Sequence, residues 1–290
     1  MTRLDPAWLD VQYNNRARIP EHPQIFERWA RASAHSREGM TCHLDVRYGG
    51  GRNETLDVFP SLRMNAPVMV FIHGGWWRSL DKSDHSFLAP SLVEAGAMVV
   101  MPNYALCPGT DEQPVSIEHI TLQMVRALAW VYRNAALYGA DPRHIVVAGH
   151  SAGAHLAAMM LSCDWKAVAD DLPARLVSLA FGISGVYDLE PIRQTPFLQN
   201  DLRLTPESVR KLSPARFRKP RGQLCAAVGA QESEEFLRQN QLMQQAWGMG
   251  TVPVCEAIAD TNHLNVLHDL ADPQGRLHQI ALDLLELAER

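Results

Sequence analysis

The stretch Val146-Val147-Ala148-Gly149-His150-Ser151-Ala152-Gly153-Ala154-His155 constrains the fold of this chain more than any other. An apolar run stops at a glycine, presents a serine, and continues as an alanine-rich helical pattern. That order reads as a nucleophile elbow, a strand turning so sharply into a helix that the serine is held in a strained backbone conformation. The positions two before and two after the serine must then be nearly free of side chain, and Gly149 and Gly153 occupy them. The helix that follows points its first amides at the place where an oxyanion would form. A tight strand-to-helix turn whose serine only caps the helix is the plainer alternative.

The rest of the chain has the texture such an elbow needs. Apolar runs at 68–72, 97–101, 144–148, 176–181, 224–228 and 252–258 alternate with helical patterns at 83–95, 116–138, 151–161, 236–247 and 277–287. Continuous apolar strands separated by helices predict a mostly parallel sheet with helices on both faces. Two alternating stretches, 42–48 and 54–59, flank a glycine-rich turn and predict an antiparallel N-terminal hairpin. With 290 residues and 47% hydrophobic content, a single α/β domain over 1–290 is expected. Residues 1–37 carry Trp8, Tyr13, Phe26 and Trp29 among charged residues, as short helices lying on a larger body would. Such a cap segment either roofs a pocket or covers a sheet edge. Proline-rich breaks mark 183–222 as an excursion between strands, and its basic cluster (Arg210, Lys211, Arg216, Arg218, Lys219, Arg221) is either a solvated surface or an attractor for a carboxylate.

A serine hydroxyl is a poor nucleophile at neutral pH and needs a base and a group that orients the base. In an open parallel sheet these come from loops beyond the carboxyl ends of the strands. His263 follows the strand at 252–258 and stands where the base belongs. His268 and His278 read as surface residues, and His155 as a packed core histidine. After the strand at 224–228, Glu232 lies nearest the strand end, with Glu234 and Glu235 as first-turn charges of the next helix. Asp188 and Asp260 are the alternative acids. Serine, acid and histidine then follow the chain order of α/β-hydrolases. His73-Gly74-Gly75-Trp76-Trp77 follows the strand at 68–72, and Gly74 or Gly75 with Ala152 could supply two oxyanion donors.

Charge and cysteine usage narrow the function classes. With 27 basic and 32 acidic residues the net charge is −5, which gives nucleic acid or an anionic membrane no general reason to bind. Cys42, Cys107, Cys163, Cys225 and Cys255 are scattered without CxxC spacing, arguing against a disulfide framework or a zinc site and for a reducing compartment. No apolar leader and no bilayer-length run is evident, so a cytoplasmic soluble protein is expected. Homodimerisation is compatible with the sequence.

HGGWW at 73–77 with GHSAG at 149–153 resembles the hormone-sensitive-lipase-like branch of the α/β-hydrolases. The longer strings at 149–161, 164–165, 184–192 and 232–239 resemble the arylformamidases, or kynurenine formamidases, and the resemblance spans roughly residues 40–270. It implies a triad of Ser151, Glu232 and His263, a cytosolic enzyme without metal or cofactor, and N-formyl-L-kynurenine as substrate. Two positions depart from the family pattern: the acid is Glu232 where aspartate is frequent, and Leu264 follows His263 where an aromatic is common. Trp77, Tyr104, His73 and the N-terminal segment are the expected contacts of an aromatic leaving group. A carboxylesterase for short acyl esters would need the same catalytic parts, and a non-catalytic binding protein on the same fold is the alternative from another class.

Overall fold

A computed structural model describes residues 5–288. Three helices open the chain, α1 (Pro6–Tyr13), α2 (Asn15–Arg18) and α3 (His22–Gly39). The hairpin strands β1 (His43–Arg47) and β2 (Thr55–Phe59) follow, then β3 (Ala66–Ile72), α4 (Ala89–Glu94), β4 (Met98–Pro102), α5 (Ile117–Asn134), β5 (Ala140–His150) and α6 (Ala152–Leu161). A short α7 (Trp165–Val168) leads to β6 (Leu179–Ile183), after which α8 (Glu190–Gln194), α9 (Pro196–Leu202) and α10 (Pro206–Leu212) form the excursion. The chain ends with β7 (Gln223–Gly229), α11 (Glu234–Trp247), β8 (Val254–Ile258), α12 (Val266–Ala271) and α13 (Arg276–Leu284).

The eight strands form one sheet in the order β1-β2-β4-β3-β5-β6-β7-β8. β1 and β2 pair antiparallel, β2 joins β4 antiparallel, and every pair from β4 to β8 is parallel. The expected hairpin and the mostly parallel sheet are therefore both present. Successive side chains point to opposite faces, so each apolar run feeds two cores. Val68, Val70 and Ile72 pack with Leu128, Leu156 and Phe236 on one face. Met69 and Phe71 pack with Trp29, Leu92 and Ile280 on the other.

Several boundaries differ from the sequence reading for local reasons. The helix expected at 83–95 begins as a 3-10 helix, Lys82–Leu88, before α4 takes over. Pro90 has no amide to offer a carbonyl four residues back, so the α-helical ladder cannot run through it. The helix expected at 116–138 tightens to 3-10 geometry over Ala135–Tyr138 and stops at Gly139. β8 starts only at Val254, one residue after Pro253. The prolines of the excursion begin helices rather than merely interrupting structure: Pro191, Pro196 and Pro206 each occupy a first-turn position of α8, α9 and α10. Leu189, Ile192, Leu198, Leu202 and Val209 anchor these helices to the core.

Buried histidines tie stability to pH. His155 is fully buried, as expected of a core residue, and its Nε2 donates to the Leu212 carbonyl 2.6 Å away. His278, expected at the surface, is also buried, with Nδ1 3.1 Å from the Leu270 carbonyl, because α13 turns that face onto α12. His268 stays largely exposed and accepts from Trp29 Nε1 at 3.2 Å. Burial lowers the pKa of His155 to about 4 and that of His85 to about 3. In the unfolded chain a histidine titrates near about 6.5. Above that pH neither state takes up the proton and the two sites cost nothing. As pH falls toward 4, the unfolded chain binds protons that the folded chain refuses, and stability is lost. At pH 5 the two sites together should remove about 4 kcal/mol relative to pH 7, from roughly 1.5 pH units at each. Urea unfolding followed at both pH values checks this, and an unchanged midpoint would refute it.

Candidate active site

β5 runs through the centre of the sheet and turns directly into α6 at Ser151, whose φ of 55° and ψ of −117° lie in a region disfavoured for side-chain-bearing residues. Such a conformation costs on the order of 1–3 kcal/mol and persists only where the surroundings over-determine it. Here they do. A Cβ on Gly149 would stand 2.2 Å from the Gly153 carbonyl oxygen, and one on Gly153 would stand 2.0 Å from that of Ile72. The Ser151 amide donates to the Ile183 carbonyl at 2.8 Å, tying the turn to the neighbouring strand.

His263, in the loop after β8, brings Nε2 to 3.1 Å from Ser151 Oγ and Nδ1 to 2.6 Å from Glu232 Oε2. Glu232 lies in the loop after β7. Its other oxygen, Oε1, accepts from Ser184 Oγ at 2.5 Å and from the Gly229 amide at 2.8 Å. With each oxygen occupied, the carboxylate has a fixed orientation, and the imidazole takes its own from it. All three side chains are buried. Two rings brace His263: Phe236 at 4.4 Å between centroids and His150 at 4.7 Å. His150 Nε2 also donates to the His263 carbonyl at 2.8 Å, and burial together with the neighbouring imidazole holds the His150 pKa well below the usual histidine range. The alternative acids stand elsewhere. Asp188 accepts from Arg216 at 2.8 Å, and Asp260 is exposed.

The loop after β3 supplies the opposite wall. Gly75 has a φ of +100°, and a Cβ there would meet the Ser79 carbonyl oxygen at 2.1 Å, so no other residue fits this turn. The Gly75 carbonyl accepts from the amides of Arg78 and Ser79 at 3.0 Å each and closes the turn. Gly74 lies against the elbow, its would-be Cβ 3.1 Å from that of Ser151. Among the described residues the amides of Gly74, Gly75 and Ala152 have no hydrogen-bond partner, leaving them available as donors.

The expected contacts of an aromatic ligand need correction. His73, Trp77 and Tyr104 are all buried, and none lines the cavity over Ser151. They support the loop from below instead. The Tyr104 ring stacks on His73 at 4.2 Å, and its hydroxyl lies within 2.9 Å of the His73 carbonyl oxygen and 3.1 Å of that of Gly74. The Trp77 ring meets His155 edge-on at 5.0 Å. Of the two tryptophans in this loop, Trp76, with a φ of 54°, is the one that faces the cavity.

That cavity measures about 410 Å³ and has Ser151, His150 and His263 in its wall. Phe26, Trp29, Trp76 and Phe197 give it aromatic sides, and Arg16, Arg78 and Asp201 add charge. Part of this wall comes from the N-terminal segment: α2 supplies Arg16, while Phe26 and Trp29 come from α3. The basic cluster of the excursion contributes nothing here. Arg216 pairs with Asp188, Lys211 with Glu207 at 3.0 Å, and Arg218, Lys219 and Arg221 border a separate cleft with Leu161 and Trp165. Among the described residues no group of three His, Cys, Asp or Glu side chains could hold a metal ion, no helix is long and apolar enough to cross a membrane, and the five cysteines are free.

Ser184, His150 and the Arg78–Asp201 pair received no role from the sequence. Ser184 had a usable signal, since it directly follows β6 beside the elbow strand, and its hydroxyl there reaches Glu232. The other two had none, because their partners lie 113 and 123 residues away.

Comparison with known proteins gives consistent relatives. The BD-FAE family profile matches residues 56–189. The kynurenine formamidase of Danio rerio is 32% identical over 251 residues, 83% of this chain and 81% of that protein. Esterase LipQ of Mycobacterium tuberculosis is 38% identical over a shorter 154 residues, 50% of this chain and 35% of that one. Among solved structures, a Silicibacter sp. protein provisionally described as a thioesterase superposes with a TM-score of 0.78 at 31% identity, covering 93% of this chain and 97% of its own.

Proposed function

Because the chain belongs to the kynurenine formamidase family, serine hydrolases of the α/β-hydrolase fold, we propose that it cleaves an aryl formamide, N-formyl-L-kynurenine, to L-kynurenine and formate. Ser151 is the nucleophile, His263 the base and Glu232 the group that orients it. His263 takes the hydroxyl proton as Ser151 Oγ attacks the formyl carbon. The tetrahedral oxyanion is met by amides of Gly74 or Gly75 and of Ala152. His263 then returns the proton to the departing aromatic amine, which breaks the C–N bond and leaves formyl-Ser151. A water, deprotonated by His263, attacks the formyl ester, and formate departs as Ser151 regains its proton.

The observation that carries this reading is the aromatic lining of the cavity over Ser151. A formyl group needs almost no acyl pocket, so recognition falls to the leaving-group side. Phe26, Trp76 and Phe197 offer ring faces and edges there, with Phe197 edge-on to Trp76 at 6.3 Å between centroids. About 410 Å³ is enough for a single-ring amino acid and falls within the range usual for small-molecule sites.

A carboxylesterase acting on short acyl esters is the second reading, favoured by the 38% identity to esterase LipQ over 154 residues, half of the chain. Formate release from N-formyl-L-kynurenine, set against hydrolysis of p-nitrophenyl acetate, separates the two. The formamidase reading expects the higher kcat/KM on the formamide. An ester efficiency roughly a hundredfold above it, equivalent to about 2.7 kcal/mol of transition-state preference, would reverse the assignment.

A further inference from the structure

Three charged side chains meet on the cavity wall from distant parts of the chain: Arg16 of α2, Arg78 of the loop after Gly75, and Asp201 of α9. Arg78 donates to the Asp201 carboxylate and, at 3.2 Å, to the Phe197 carbonyl, while its guanidinium lies 5.4 Å over the Phe197 ring. Arg16 lies 5.6 Å over the Phe26 ring and donates to Ser79 Oγ at 3.4 Å. Aromatic faces thus hold both guanidiniums in place. The nearby carboxylate of Asp10 is engaged by the Phe197 amide at 3.3 Å.

Stability alone does not account for this group. Arg78 and Asp201 are each about 30% exposed, and a pair so open to water adds little to folding. Within one cavity with Ser151, however, the arrangement offers a carboxylate, a shared guanidinium and a second guanidinium. The geometry points to a head-group subsite for an α-amino acid, in which Asp201 takes the ammonium and Arg16, assisted by Arg78, takes the carboxylate of the leaving group. This rests on the formamidase reading for the identity of the substrate and deepens it, by naming what holds the end of the molecule away from Ser151. The match is chemical: an α-amino acid carries its two opposite charges on one carbon, as the subsite does across one ion pair. A plain aryl carboxylate would leave Asp201 facing an anion, and an uncharged ester would leave all three groups unused.

The test avoids formamide turnover. L-Kynurenine and 2-aminoacetophenone, which keeps the ring, amine and ketone but lacks the head group, are compared as inhibitors of p-nitrophenyl acetate hydrolysis. Calorimetric titration of both into S151A protein makes the same comparison without catalysis. L-Kynurenine should bind about 30-fold more tightly than 2-aminoacetophenone, and Arg16→Gln and Asp201→Asn should each shrink that gap at least about fivefold, as expected for charge-assisted hydrogen bonds. Arg16 is exposed, so its replacement leaves the core intact. Equal affinity of the two compounds for the wild type, or a gap that survives both substitutions, overturns the subsite. Absence of formate release with the gap intact instead overturns the formamidase reading and leaves the subsite standing.

Discussion

Ser151→Ala should lower kcat/KM on either the formamide or p-nitrophenyl acetate by at least about 10⁴-fold, because no other hydroxyl can take over the covalent step. Ser151 Oγ is the group that faces His263 Nε2, at 3.1 Å, and the strained elbow that presents it is fixed by Gly149 and Gly153 rather than by the hydroxyl. The variant should therefore fold as the wild type does while losing labelling by a serine-directed organophosphorus probe. His263→Ala should bring a loss of the same order, and the double variant should lose little more than either single one, since nucleophile and base act as a unit. Additive losses would show that the two side chains work independently, and the proposed mechanism would fall.

Glu232→Gln should cost about 10³ to 10⁴-fold in kcat with little change in KM, through the tautomer of His263 rather than through any movement of it. Glu232 Oε1 accepts from the Gly229 amide at 2.8 Å, so a glutamine must put its carbonyl oxygen there. Its NH2 then faces His263 Nδ1 and forces the ring proton onto Nε2. In that state Nε2 can no longer accept the proton of Ser151. Ser184→Ala, which removes one of the two donors to Oε1, should cost only about tenfold, the scale of one hydrogen bond to a charged group. Steady-state kinetics on both variants read this directly. Wild-type activity in the glutamine variant would move the orienting role away from Glu232.

Much of the site could be read from the sequence because the elbow is a local device. Strand, glycine, serine, glycine and helix are contiguous, and the steric demands on Gly149 and Gly153 are met within a few residues. His263 and Glu232 could be found by rule, because a parallel sheet exposes its loops at the carboxyl ends of its strands. The placement of Trp77 and Tyr104 could not be read locally, for an equally physical reason. Aromatic residues beside a glycine loop suit a pocket wall and a core equally well, and which of the two tryptophans faces outward depends on consecutive positive φ angles at Trp76 and Trp77. The excursion hid its helices because a proline at the first turn of a short helix looks the same in one dimension as a proline that ends one.

Periodicity and turn chemistry by themselves determined the alternation of strands and helices and the glycine-flanked elbow, since each follows from interactions between residues close in the chain. The tertiary structure decided everything that needs two distant segments to share a space. It set Ser184 and Gly229 around one carboxylate oxygen, brought α2 and α3 to the cavity over Ser151, and joined residues 16, 78 and 201 in a single wall. Packing, not local preference, fixes such meetings, because the free energy that selects them comes from burying many side chains at once and leaves no mark on any one stretch of sequence.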